Sequence, residues 1–303
     1  MYFYTQIGHS MFAPTLAAFR ETLLCPEGRF RTLGTPRCEC DVRGAPLLRA
    51  GGCAVVVRAE SGGRSYALKG YLRPRTQRAD LYAALDRYPS SLRYPVRYLP
   101  GKIYLYVTDR GAWYDLLAAD WAEGHTLDYA IRRALHYRSS ADLTALSRAF
   151  EAMAAELLAQ PWAHGDLKPS NIMVTPSGTL RLIDYDGAFV PERAAETGTP
   201  ACNHPLRGDR YDKHIDDYPI ALIAASLRAL AADPAPAAPC NSECLPFVPE
   251  RIADGTDRNY RAALLRAESR RDERLVALLH ALRAPEPALP ALADLLRAPS
   301  ENR

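Results

Sequence analysis

Asp166, Lys168 and Asn171 share one short segment, His164-Gly165-Asp166-Leu167-Lys168-Pro169-Ser170-Asn171, and a second acid, Asp184, ends the apolar run Leu180-Arg181-Leu182-Ile183 that comes after it. A carboxylate, an ammonium, an amide and a second carboxylate form the set that phosphoryl transfer needs. One acid orients an attacking hydroxyl, a cation neutralises the moving phosphoryl group, and oxygen donors hold magnesium. The plainer reading is a polar loop beside a helix. Against it stands the use of lysine, which occurs only at 69, 102, 168 and 213 among 38 basic residues. Where arginine serves every ordinary surface, a lysine marks a place that wants a compact ammonium rather than a planar fork.

These residues need a frame. Ile172-Met173-Val174 and Leu180-Arg181-Leu182-Ile183 flank the turn Thr175-Pro176-Ser177-Gly178, so the segment runs into a short hairpin that ends at Asp184. Around it the pattern is helical, over 126–137, 141–160, 216–232, 258–282 and 289–296, with Leu143, Leu146, Phe150, Met153 and Leu157 on one face of the second. Upstream the texture is β-rich. Val55-Val56-Val57 and Ser65-Tyr66-Ala67-Leu68-Lys69 flank Ser61-Gly62-Gly63 as a hairpin, and 96–99 and 103–107 flank Pro100-Gly101 as a second. A helix is predicted over 76–88, stopping at Pro89, and a further strand over 113–121.

In this order the motifs resemble those of the protein kinase superfamily, over about Leu47 to Leu296. The segment 164–171 is similar to the kinase catalytic loop, and Asp184-Tyr185-Asp186 stands at the place of Asp-Phe-Gly. Tyr66-Ala67-Leu68-Lys69 resembles the third-strand Val-Ala-Ile-Lys, Gly198-Thr199-Pro200 the docking end of the activation segment, and Asp216-Asp217-Tyr218 the start of the long central helix whose aspartate braces the catalytic loop. The resemblance implies an ATP- and magnesium-dependent enzyme with Asp166 as catalytic base and Lys168 on the transferred phosphoryl group. It implies Asn171 and Asp184 as magnesium ligands, Lys69 on the nucleotide phosphates, Gly51, Gly52 and Val55 over the nucleotide, and Asp120, Trp121 and Ala122 at an adenine-binding hinge. Ala119, just before that hinge, implies a roomy back pocket. A lysine two residues after the aspartate is the serine/threonine form of the loop, and Thr199 points the same way.

The departures are specific. Arg49-Ala50-Gly51-Gly52-Cys53-Ala54-Val55 has two adjacent glycines where the family spaces three, so the backbone would approach phosphates less closely. The helix over 76–88 has no glutamate for Lys69; Asp86 is the nearest candidate, against a solvated helix-end acid. Asp186 replaces a glycine, as a residue type that tolerates left-handed backbone. His204-Pro205-Leu206 lacks the glutamate of Ala-Pro-Glu, and Gly165 stands where regulated kinases carry a phosphate-receiving arginine.

The implied fold is α+β and bilobal, with a small antiparallel β lobe carrying one helix and a larger α-helical lobe. The expected divisions are an N-terminal extension at 1–45, an N-lobe at 46–121 and a C-lobe at 122–303. A formal charge of +3 gives no reason to expect nucleic acid, no apolar run reaches membrane-spanning length, and a cytoplasmic protein of bacterial type is the expectation. Seven cysteines, an odd number in a long chain, read as reduced thiols; Cys38/Cys40 and Cys240/Cys244 lack the paired spacing of a zinc site. A protein substrate is expected, with a possible regulatory partner through 1–45. The alternatives are a pseudokinase that binds nucleotide or a partner without turnover, and a small-molecule phosphotransferase similar to aminoglycoside kinases.

Overall fold

The computed structural model describes residues 13–73, 77–108, 110–191 and 202–297. They fall into two compact units, one drawn from 1–83 and 94–122, the other from 84–93 and 123–303.

The first unit is built on an antiparallel sheet. Strands β1 (Arg37–Cys38), β2 (Arg49–Ala50), β3 (Ala54–Ser61), β4 (Arg64–Tyr71), β5 (Val96–Val107) and β6 (Arg110–Asp120) are arranged β1-β3-β4-β6-β5, with β2 also paired to β3. The β3–β4 hairpin forms as expected, and both residues of its loop, Gly62 and Gly63, are left-handed at φ 57° and 73°. That primed turn matches the twist of the strands.

The second expected hairpin does not form. Residues 96–107 are one strand, paired with β6 over 96–99 and 103–107, and Pro100-Gly101 lies in a bulge where the register shifts between Leu99 and Ile103. Asp115 on the facing strand makes this possible, since one carboxylate oxygen accepts the Gly101 N–H at 2.8 Å and the other accepts the Tyr98 hydroxyl. A Pro-Gly pair supplies turn geometry, but a partner carboxylate that satisfies the freed amide lets the strand continue.

Residues 13–45 are not an appendage. Helix α1 (Leu16–Leu24) is capped by Thr15, whose hydroxyl accepts the Ala18 N–H at 3.1 Å. It buries Ala18, Phe19 and Leu23 against Val55, Val57, Leu68, Leu116 and Ala118. The Phe19 ring lies where a Cβ on Gly70 would be, 2.1 Å from that position. The expected boundary at 45/46 therefore divides a single core, and the apolar face of α1 is already spent on its own sheet. Helix α2 (Arg78–Leu85) is shorter than the 76–88 expected, ending in turns at Arg87 and Tyr88; residue 76 lies outside the described residues.

In the second unit the three-stranded sheet β7 (His125–Thr126), β8 (Ile172–Val174), β9 (Leu180–Leu182) is surrounded by helices α3 (Leu127–His136), α4 (Ser140–Leu158), α5 (Asp217–Ala232), α6 (Pro249–Ala253), α7 (Arg258–Ser269), α8 (Glu273–Ala281) and α9 (Leu292–Arg297). Helix α5 is buried on nearly every side, as its continuous apolar run requires of a central helix. Residues 258–282 form two helices rather than one. Arg271 turns left-handed at φ 55°, and Asp272 both caps α8 and receives the Arg228 guanidinium at 3.0 Å.

Residues 84–93 belong to this unit, which shifts the expected division at 121/122. The Leu182 N–H donates to the Leu92 carbonyl at 2.7 Å, Arg181 reaches the carbonyls of Ser91 and Arg93, and the Ser91 hydroxyl bonds to Glu156. Arg93 in turn caps the end of α2 through the Leu85 and Tyr88 carbonyls at 2.8 and 2.6 Å. Among the described residues no helix is long and apolar enough to cross a membrane.

Candidate active site

The candidate residues fall on both units. In the second, the loop 164–171 is held from behind by Asp216, just before α5, which accepts the backbone N–H groups of His164 and Gly165, the latter at 2.9 Å. Burial pushes the Asp216 carboxyl above the usual carboxylate range, and His164, the two amides and Arg207 act against that rise. His164 is fully buried. Its Nδ1 accepts the Asp166 N–H at 3.3 Å, which leaves Nε2–H to donate to the Ile183 carbonyl at 2.9 Å. One imidazole thus ties the 164–171 loop to the strand that leads into Asp184.

On this brace the predicted polar set converges. Lys168 Nζ donates to Asp166 Oδ2 at 3.1 Å, with both side chains more than four-fifths buried. Asn171 Nδ2 donates to the same oxygen at 3.1 Å and to the Asp166 carbonyl at 2.8 Å. With its nitrogen committed to Asp166, the Asn171 amide has Oδ1 as its atom for a cation. The Ile183 N–H donates to the Asn171 carbonyl at 3.0 Å, which carries Asp184 alongside on the next strand. Asp184 is exposed and left-handed, at φ 63° and ψ 74°. The left-handed residue expected at Asp186 is therefore Asp184 itself. Tyr185 packs inward, fully buried, with its hydroxyl on the Leu182 carbonyl.

Magnesium prefers a few carboxylate or carbonyl oxygens and shares the rest of its shell with water and phosphate. Asn171 and Asp184 supply donors of that kind. Among the described residues no group of three or more His, Cys, Asp or Glu forms a cage. The donor chemistry fits a phosphate-sharing ion rather than a protein-enclosed one.

Glu243 escaped the sequence reading. Its carboxylate accepts both the N–H and the hydroxyl of Ser170, at 2.9 and 3.0 Å. It is presented by a loop in which Asn241 Oδ1 accepts the N–H groups of Glu243 and Leu245, each at 3.0 Å, while Cys244 turns left-handed at φ 61°. The only local signal is that Asx turn, which says nothing about what the loop touches. Cys202 lies in the same surroundings. Burial pushes its thiol up to about 12, and the charges of Glu243, Lys168 and Asp166 all act on it. Glu243→Ala leaves two donors of the loop without a partner, so we expect it to cost about 1–3 kcal/mol of stability. Turnover is expected to fall about tenfold with little change in the KM for nucleotide, since a shift of Ser170 moves its neighbour Asn171. Steady-state kinetics beside denaturant unfolding check this, and unchanged turnover would remove Glu243 from the site.

In the first unit Lys69 lies on β4, opposite Val56 of β3 and Leu117 of β6. Side chains alternate along a strand, so Val56 shares the face of Lys69. Val55 does not: it is 3% exposed and packs in the core beneath α1. The nucleotide-facing place expected of Val55 does not fit its burial, since Val56 and not Val55 lies on the side of Lys69. Gly51 and Gly52 are exposed in the loop joining β2 to β3, closed by the Gly51 N–H on the Ala54 carbonyl at 2.9 Å. The expected hinge is partly committed. The Asp120 N–H donates to the Pro95 carbonyl at 3.1 Å and the Trp121 N–H to the Ser65 carbonyl at 3.0 Å. The Asp120 side chain pairs with Arg64 at 2.8 Å, and the Trp121 ring carries Arg49 and Arg58 at 5.3 and 5.1 Å. The Asp120 and Trp121 N–H groups are thus spent within the first unit.

Helix α2 carries one acid, Asp80. Asp80 is exposed, and the charged residue α2 buries is Arg78, 2% exposed, whose guanidinium lies 5.7 Å from the Tyr71 ring while Lys69 Nζ lies 5.8 Å from it. Asp86 is an exposed acid of the second unit whose charge acts on Arg93. The expected docking segment 198–200 lies outside the described residues.

No protein-family model matches the chain, and no curated protein matches it in sequence. Among solved structures it is similar to the ROP18 kinase domain in complex with AMP-PNP and sucrose, with a TM-score of 0.56 and 18% identity over 89% of this chain and 80% of that one. The architecture, an antiparallel sheet unit with the short helix α2 at the expected place and a helical unit holding the hairpin of β8 and β9, is a protein-kinase-like fold.

Proposed function

We propose that this protein transfers the γ-phosphoryl group of ATP to a serine or threonine hydroxyl of a protein substrate. The observation that carries the reading is the hydrogen-bonded set Asp166–Lys168–Asn171 on a loop braced by Asp216 and tied through His164 to the strand before Asp184. In this reading Asp166 accepts the hydroxyl proton as the oxygen bonds to the γ-phosphorus. The bond between that phosphorus and the bridging oxygen breaks, and ADP leaves. Lys168 offsets charge on the moving group, and Lys69 holds the remaining phosphates. Magnesium, held through Asn171 and Asp184, supplies neutralisation of phosphate charge.

A second reading, nucleotide binding without turnover, is favoured by one observation: the one acid of α2, Asp80, is exposed to solvent. Labelled ATP and magnesium with generic protein substrates, with aminoglycosides, and with neither, beside Asp166→Ala, separate the readings. Label on serine or threonine that is lost in the variant supports the proposal. Label only on a small molecule replaces its substrate class, and no transfer with saturable nucleotide binding establishes the second reading.

A further inference from the structure

The first unit holds another pair of reactive side chains. Cys38 closes β1 and Cys40 lies two residues beyond it, so in extended chain both point to the same side. Their sulfurs stand 3.7 Å apart. The two differ in access. Cys38 packs against the apolar cluster beneath α1, its thiol 3.7 Å from the Leu23 carbonyl near the end of that helix, and burial pushes its pKa up to about 11. Cys40 is exposed, 3.5 Å from the Cys38 carbonyl. An accessible thiol in contact with a sheltered one is the arrangement of an attacking and a resolving cysteine.

We propose that Cys38 and Cys40 form a reversible disulfide, a thiol-modification site whose co-reactant is a low-molecular-weight disulfide such as oxidised glutathione. The Cys40 thiolate attacks one sulfur of the co-reactant, whose S–S bond breaks to release one glutathione thiolate. Cys38, having lost its proton, then attacks the Cys40 sulfur and expels the second. Two cysteine thiols give up two protons and two electrons, and one glutathione disulfide becomes two glutathione thiols.

The bond is a switch rather than a staple. Residues two apart in an extended strand have Cα atoms roughly 6.6 Å apart, near the upper limit of about 6.8 Å that a disulfide spans, so the bridge is strained and readily reduced. It encloses one residue, Glu39, and so removes little freedom from the unfolded chain. It forms at the sulfur that lies 3.7 Å from the Leu23 carbonyl, beside the pairing of Cys38 with Ala59 that attaches β1 to the sheet.

The test is incubation of the full chain in glutathione buffers of rising oxidised fraction, then alkylation and peptide mass analysis. The exposed Cys25 serves as internal standard for oxidant strength. We expect the peptide holding Cys38 and Cys40 to lose the mass of two hydrogens, reversibly with dithiothreitol. Cys38→Ser should then accumulate a glutathione adduct on Cys40, and Cys40→Ser should leave Cys38 alkylatable. Two outcomes in the wild-type chain overturn the proposal: both thiols alkylatable once Cys25 carries glutathione, or a lasting Cys40 adduct without closure. The readout is independent of any phosphoryl transfer.

Discussion

Asp184→Asn is expected to lower phosphoryl transfer by about 10²-fold or more, the scale on which a single preorganised charge at a reacting centre acts. The fold should survive. Asp184 is exposed and left-handed, and asparagine adopts that conformation as readily as aspartate. Next to it Tyr185 is buried with its hydroxyl on the Leu182 carbonyl, which anchors the adjoining backbone. The substitution keeps the size of the side chain and removes one negative charge, so transfer and stability are to be read side by side. Single-turnover transfer beside denaturant unfolding is the measurement. A variant that keeps more than a tenth of the wild-type rate removes Asp184 from the metal-ligand role. Asp166→Ala should lose a comparable or larger factor, about 10²–10⁴ for a general base, but it also releases the Lys168 ammonium and the Asn171 amide from their shared oxygen. The conservative Asp184 variant is therefore the more informative of the two. If the protein binds nucleotide without turnover, neither substitution changes any transfer, and the difference moves to magnesium-dependent nucleotide affinity.

The catalytic-loop segment was legible because its residues act locally. Asp166, Lys168 and Asn171 lie within one turn and a short 3-10 helix, so their spacing alone brings them onto one oxygen. Asp184 is placed by a hairpin with a plain turn signal. The features that could not be read depend on contacts distant in sequence. Pro100-Gly101 carries every local mark of a hairpin turn, and only Asp115, fourteen residues beyond Gly101, decides that the strand continues. Val55 and Val56 are identical in chemistry and adjacent, and the side facing Lys69 is set by register with β4, where a slip of one residue exchanges the faces. Glu243 reaches Ser170 across 73 residues, from a loop with no periodicity. Residues 13–45 looked like an extension because the amphipathic stretch Pro14 to Leu24, followed by a polar segment, carries no local sign of its partner surface, the far side of the sheet. Gly70, small where Phe19 packs, was the one trace of that partner.

Gly165→Ala and Gly165→Arg are expected to destabilise the protein about equally, by roughly 3 kcal/mol or more, from a left-handed backbone penalty of about 1–2 kcal/mol added to overpacking of about 1–3 kcal/mol. Gly165 has φ 75°, and a Cβ placed on it would stand 1.8 Å from the Gly187 carbonyl oxygen. That oxygen has no room to retreat. Its chain is pinned two residues on by the reciprocal bonds between Ala163 and Phe189, at 3.1 and 2.9 Å, while the Gly165 N–H is held by Asp216. The clash lies at the first side-chain carbon, so the atoms beyond it hardly matter, and this is why alanine and arginine should cost alike. In regulated kinases an arginine at this position receives the activating phosphate, since a phosphate orders a segment only where a cation awaits it. Here the backbone of the 185–187 turn occupies the space such a side chain would need. We therefore expect no activating phosphate to be received at this position, and activity should persist after phosphatase treatment of freshly expressed protein. Thr197, the plausible acceptor in the sequence, lies outside the described residues. Denaturant unfolding of both variants, with activity before and after phosphatase, carries the test. An arginine variant as stable as wild type, or activity that falls as Thr197 is dephosphorylated, would show that the loop can host the switch after all.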